Sequence, residues 1–217
     1  MTDCLVRPSA DIRTTTTDLS LPEELQLALP TLSGHLRFGA MDIAVAAIID
    51  LALRGRLVAT KSRFGQPSGA KLTLVDASAT GSAPLDAAVQ AFVARGKPWK
   101  VYAAVAGLCA VVSEATTASL VARGSLTANG TMRDRGSHLE PVDLALRDEL
   151  MASIDQAPSA ADPRATVLLD ILQHSAFGFT PKPGQRRPPV LGDYPENAGI
   201  TARGALSALY VATGSAV

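Results

Sequence analysis

Met41-Asp42-Ile43-Ala44-Val45-Ala46-Ala47-Ile48-Ile49-Asp50-Leu51-Ala52-Leu53-Arg54-Gly55-Arg56-Leu57 is the stretch whose reading decides the fold. It makes a helix of about four turns, and Asp42 and Asp50 are its only charges before Arg54. A helix that is apolar on nearly every side must be surrounded by other elements. Crossing a bilayer takes about 20 apolar residues, so this run is too short for it. Arg54 places a cation in the last turn, and Gly55 can adopt the left-handed cap that ends a helix. The following Arg56-Leu57-Val58-Ala59-Thr60 reads as a strand leaving that cap. Asp50, one turn before Arg54, reads as half of an ion pair rather than as a catalytic acid.

Composition narrows the class. Hydrophobic residues make up 47% of the 217 and aromatics only 4%, a balance that favours helices over a β-sandwich. The length allows one good-sized core or two small ones. Twenty basic side chains against 20 acidic ones give no net charge, which argues against a protein held to nucleic acid by its global field. Cys4 and Cys109 offer no disulfide framework and suit a reducing cytosol. Cys109 in its alanine-rich surroundings reads as a small buried hydrophobe. His35, His138 and His174 are too scattered for a zinc site or a catalytic triad. No signal peptide is read at the N-terminus, and a cytoplasmic protein is expected. No phosphate-cradling glycine loop, nucleophile elbow or metal motif is found, so no cofactor and no catalytic residue is assigned.

Taken outward from the central helix, residues 1–18 carry four consecutive threonines and read as a flexible arm. Ser20 is the expected N-cap of a helix opened by Leu21-Pro22-Glu23-Glu24-Leu25 and ended by Pro30. His35 to Phe38 reads as a brief strand. Leu57–Thr60 and Lys71–Val75 read as strands joined by a loop with Lys61 and Arg63. Pro84 opens a helix closed by Gly96. Trp99 to Val112 reads as a buried helix, with a further one over Ser113 to Arg123, and Trp99 reads as a packing anchor. Asn129-Gly130 signals a hairpin, Pro141 a helix start, and Asp162-Pro163-Arg164 a capped helix. Residues 179–217 are a proline-rich segment followed by a closing helix from Thr201 to Ala212. The expected architecture is a single, mainly α domain over residues 19–178 with short β-hairpins, the C-terminal helix packing on it.

Leu51-Ala52-Leu53-Arg54-Gly55-Arg56-Leu57 is echoed by Leu120-Val121-Ala122-Arg123-Gly124-Ser125-Leu126. In both, an apolar helix end meets Arg-Gly and then a strand. Two helix-plus-hairpin units predict a duplication within one domain.

These pieces together resemble the Golgi phosphoprotein 3 family, the GPP34-type domain also found in actinobacteria. Leu21-Pro22-Glu23-Glu24-Leu25 and Asp50-Leu51-Ala52-Leu53-Arg54-Gly55-Arg56-Leu57 match its opening and its centre. Thr80-Gly81 with Leu85-Asp86-Ala87-Ala88 is similar to its next helix start. Leu120 to Leu126 resembles its second turn, and Asp162-Pro163-Arg164 with His174-Ser175-Ala176 its late helix. The resemblance implies a mostly helical fold and no catalytic activity. For eukaryotic members it implies peripheral membrane binding through a phosphatidylinositol 4-phosphate head group, aided by an apolar hairpin that dips into lipid. A peripheral position on the inner face of a membrane follows for this chain as an expectation.

At the positions where the resemblance places the head-group site, the chain departs from the pattern. Ungapped counting puts the family's tryptophan at His35 and its phosphate-binding arginines at Ala44, Ala110 and Ser113. The strongest phosphate ligands are therefore missing, and the hairpin Thr131-Met132-Arg133-Asp134-Arg135 is polar where an anchor needs large apolar groups. Arg37 is the nearest substitute cation. Lys61, Arg63 and Lys71 form the best basic patch, read either as a solvated face or as a contact for phosphates. Three function classes follow. The first is a peripheral adaptor for an anionic lipid head group. The second is a binding protein or unconventional enzyme for an apolar small metabolite in space vacated by the arginines. The third is a nucleic-acid binder, which the neutral charge disfavours.

Overall fold

The computed structural model describes residues 18–29, 31–32, 35–36, 39–60, 70–129, 138–156, 163–174 and 196–213. The central helix, α2 (Ala40–Leu53), is buried at every residue from Asp42 to Ala52. Around it pack α1 (Leu21–Ala28), α3 (Ala83–Arg95), α4 (Val101–Ala122), α6 (Pro163–His174) and α7 (Glu196–Thr213), while α5 (Leu144–Gln156) lies against α1 and α6. Ile43, Ala47, Ile48 and Leu51 have no exposed surface at all. The protein is a mainly α domain with short antiparallel strands.

The strands are β1 (Thr31–Leu32), β2 (His35–Leu36), β3 (Leu57–Thr60), β4 (Lys71–Leu74), β5 (Trp99–Lys100), β6 (Leu126–Asn129) and β7 (His138–Pro141). They form two sheets, β1-β2-β7-β6 and β3-β4-β5. Each long core helix is followed by a hairpin: α2 by β3–β4, α4 by β6–β7. Each hairpin takes as its neighbour the strand that leads into the other helix. Thus β2, ahead of α2, pairs with β7 through Leu36 and Leu139. In turn β5, ahead of α4, pairs with β4 through Lys71–Lys100 and Leu72–Trp99. The two units are therefore reciprocally interlocked, and neither sheet can be completed from one unit alone.

The duplication extends to single hydrogen bonds. Gly55 has φ +70° and Gly124 φ +73°. The N–H of Arg56 donates to the carbonyl of Leu51, and that of Ser125 to Leu120. Gly55 N–H bonds Ala52, and Gly124 N–H bonds Val121. This is the Schellman cap, placed twice at matching positions, and it turns each helix end into its hairpin.

Several elements depart from the sequence reading. Trp99 starts a two-residue strand, and one unbroken helix runs from Val101 to Ala122, because Ser113 turns into the core instead of capping a new helix. By length and composition α4 could cross a membrane, yet one side of it packs on α2 and it is a core helix. Pro141 ends β7 opposite Leu126, and Asp143 begins α5 by accepting the Leu146 N–H at 2.9 Å. The hairpin expected at Asn129-Gly130 is present, Asn129 ending β6 and pairing with His138 at the start of β7. The last helix begins at Glu196, just past Pro195, instead of at Thr201. Asp162 lies outside the described residues.

Candidate functional site

Glu23, Glu24 and Asp50, three of the five buried carboxylates among the described residues, are the first groups to test for chemistry, since burying unpaired charge is costly. Each is engaged in joining helices. Asp50 Oδ1 accepts from Arg54 Nε at 2.7 Å, and its Oδ2 accepts the backbone N–H of Leu21 at 2.8 Å. A carboxylate from the middle of the fold thus caps the start of α1. Glu23 reaches back to the Ser20 N–H at 2.8 Å, the return arm of a capping box. Its other oxygen accepts from Ser119 at 2.7 Å and faces Arg123 Nε at 3.5 Å on α4. Glu24 pairs with Arg164 Nη2 at 2.8 Å, and the same nitrogen donates to the Leu19 carbonyl at 2.8 Å. These residues clamp the N-terminus of α1 to α2, α4 and α6. All three carboxylates are occupied by partners within the fold.

Of the residues assigned to the head-group position, His35 lies in β2, and Arg37, Lys61 and Arg63 fall outside the described residues. Ala44 on α2 and Ser113 on α4 are fully buried, whereas Ala110 on α4 is exposed. Ala44 and Ser113 therefore sit inside the helix packing, and only Ala110 faces solvent. The Ser113 hydroxyl oxygen finds no hydrogen-bond partner. Nearby, Cys109 donates to the Val105 carbonyl at 3.0 Å. Its thiol pKa is raised, mainly by burial and further by the negative charge of Asp42, which places the first turn of α2 against the middle of α4. A thiol held neutral in this way is a poor nucleophile. Among the described residues no group of three or more His, Cys, Asp and Glu could hold a metal ion.

A second region joins more exposed chemistry. Gly96, with φ +66°, ends α3 and turns the chain through Lys97 and Pro98 into β5. Trp99 lies edge-to-face on Phe92, with ring centroids 5.5 Å apart, and the Arg95 guanidinium stands 4.8 Å from the centroid of its ring. The ring occupies the space where a side chain at position 107 would be, so Gly107 is required by packing. Trp99 is thus a packing anchor with a cation stacked on it. A pocket of about 260 Å³ opens beside it, lined by Thr73, Leu74, Phe92, Val93, Gly96, Lys97 and Pro98. Lys71 and Lys100 are cross-strand partners on β4 and β5, and both are exposed. Lys71 was legible as part of a basic patch. Lys97, Lys100 and Arg95 were not, because no linear spacing signals that the end of α3 and β5 both meet β4.

Beyond this corner, Arg56 binds the loop after β4 through the carbonyls of Ser78 and Ala79. The Asp76 carboxyl is held below its ordinary pKa, first by hydrogen bonds from the Ser78 backbone and side chain and then by Arg56. Asp86 accepts from both the N–H and the hydroxyl of Thr80, at 2.6 and 2.7 Å, fixing the start of α3.

Comparison with known proteins gives one family. The model described as Golgi phosphoprotein 3 (GPP34) matches residues 21–187, well over half of the chain. No curated protein matches.

Proposed function

The chain belongs to the Golgi phosphoprotein 3 (GPP34) family, and from that premise we propose that it is a peripheral membrane protein that binds anionic lipid by charge, without a dedicated phosphoinositide cradle. The family match across residues 21–187 carries the membrane half of this reading. The other half rests on the residues at the head-group positions. A phosphate monoester carries about −1.5 to −2 charges near neutrality, and enclosing it requires donors of opposite sign. Ala44 and Ser113 are fully buried and offer one hydroxyl between them, and Ala110 offers no donor. Charge-assisted hydrogen bonds contribute roughly 1.5–3 kcal/mol each, so three missing guanidinium groups weaken head-group affinity by several orders of magnitude.

The test is flotation with vesicles containing phosphatidylinositol 4-phosphate against vesicles matched in surface charge by phosphatidylserine. The expected result is equal binding to both at low salt, lost near physiological salt. Binding that follows the phosphoinositide, persists in salt and is untouched by Arg37→Ala would overturn the proposal.

A further inference from the structure

We propose that the corner where β4, the end of α3, β5 and the first turn of α4 meet is the face that lies on an anionic bilayer. This rests on the membrane reading above and adds the docking surface. Four of the chain's five lysines fall between positions 61 and 100, and the fold sets Lys71 and Lys100 across from each other on β4 and β5, with Lys97 just ahead of β5 beside Thr73 and Leu74, and Arg95 on the Trp99 ring.

Cations outnumber acids along this part of the molecule. Between Ala70 and Tyr102 the acidic residues are Asp76 and Asp86. Both are engaged elsewhere, Asp76 by Ser78 and Arg56 and Asp86 by Thr80. Asp86 is in the first turn of α3, roughly 13 Å along the helix from Arg95, and Asp76 follows the Leu74 end of β4, beside Arg56. The next carboxylate, Glu114, is about 18 Å further up α4. None of the four cations has a carboxylate partner among the described residues. Placing Lys71 directly across from Lys100 sets like charges against each other, which works against the sheet. An opposing negative surface would turn that repulsion into attraction.

Apolar groups are interleaved with the cations. Val93 is 48% and Tyr102 49% exposed, Pro98 is exposed, and the pocket is lined by buried Phe92 as well as by exposed Lys97. Tyrosine, tryptophan and lysine side chains are those that settle at the level of lipid head groups. A nucleic acid would reward the cations but gain little from an aliphatic surface such as Val93, so a bilayer is the better complement.

Trp99 is the single tryptophan and reports on this corner directly. The experiment measures flotation and Trp99 emission with phosphatidylcholine vesicles, with and without phosphatidylserine, for the wild type and for Lys71→Gln/Lys97→Gln/Lys100→Gln. Wild type should bind the anionic vesicles, with Trp99 emission quenched by brominated acyl chains. The triple variant should partition on the order of 100-fold more weakly, each lysine near the surface contributing roughly five-fold. The corresponding triple arginine variant should bind like wild type. Because the glutamines relieve the Lys71–Lys100 repulsion, the variant should melt no lower than wild type, which excludes misfolding as the cause. A folded triple glutamine variant that floats as well as wild type would overturn the docking face while leaving the membrane reading intact. Wild type that floats with neither vesicle would overturn both. An oligonucleotide that binds more tightly than the anionic vesicles and displaces them would overturn the bilayer in favour of a nucleic acid.

Discussion

Gly55 and Gly124 show how much one residue can decide. Nothing lies within 4 Å of a Cβ added at either position, so space is no obstacle. The constraint is the positive φ of the cap, which L-residues pay for at about 1–2 kcal/mol. Gly55→Val and Gly124→Val should each lower stability by more than ~1 kcal/mol in urea denaturation, and the asparagine variants by clearly less. Equal losses for valine and asparagine would point to a cause other than φ. Cys109 gives a residue-scale prediction with a pH sign. Its folded pKa is raised by burial and by Asp42, so below the ordinary thiol pKa the group costs nothing. Above it, the unfolded chain ionises first and stability falls. Iodoacetamide should therefore alkylate the folded protein more slowly than the urea-unfolded chain, with the folded rate still climbing beyond the ordinary thiol range.

At the scale of elements, the motifs that mark the family turn out to be the joints of the helices. The Leu21 to Leu25 stretch, Asp50, Arg54, Arg123 and Arg164 meet at the N-terminus of α1. Asp50→Ala removes the acceptor of the Leu21 N–H and the partner of Arg54 together. It should cost about 1–3 kcal/mol, mainly because it strands a buried donor, while Arg54 remains in contact with water. Asp50→Asn should recover part of that, because an amide oxygen still accepts from Leu21. Thermal melts of the two variants check this, and an asparagine variant as unstable as the alanine one would show that the Arg54 charge dominates. The Asp50–Arg54 pair was legible from its spacing of one helical turn. The link from Asp50 to Leu21 was not, because only the packing of α1 on α2 brings them together.

For the whole molecule, reciprocal pairing of the hairpins implies cooperative unfolding. Trp99 lies on β5 of the second unit but pairs through Leu72 with the first, and α2 contacts elements from both ends of the chain. Trp99 emission and far-ultraviolet helix signal should consequently lose structure in one coincident transition; separated midpoints would show that the units unfold independently. The all-round apolarity of residues 41–53, the glycine stops and the repeated Arg-Gly turns determined from sequence alone that α2 is central, that the domain is mainly helical and that a unit is duplicated. Those are local properties, carried by side-chain periodicity and backbone preference. The tertiary structure alone decided that each hairpin completes its sheet with the other unit's strand, and that Ala44 and Ser113 are buried while Ala110 faces out. It also decided that Lys71, Arg95, Lys97 and Lys100 share a corner with Trp99. Such pairings join residues whose separation along the chain leaves no periodic trace, so they exist only once the helices have packed.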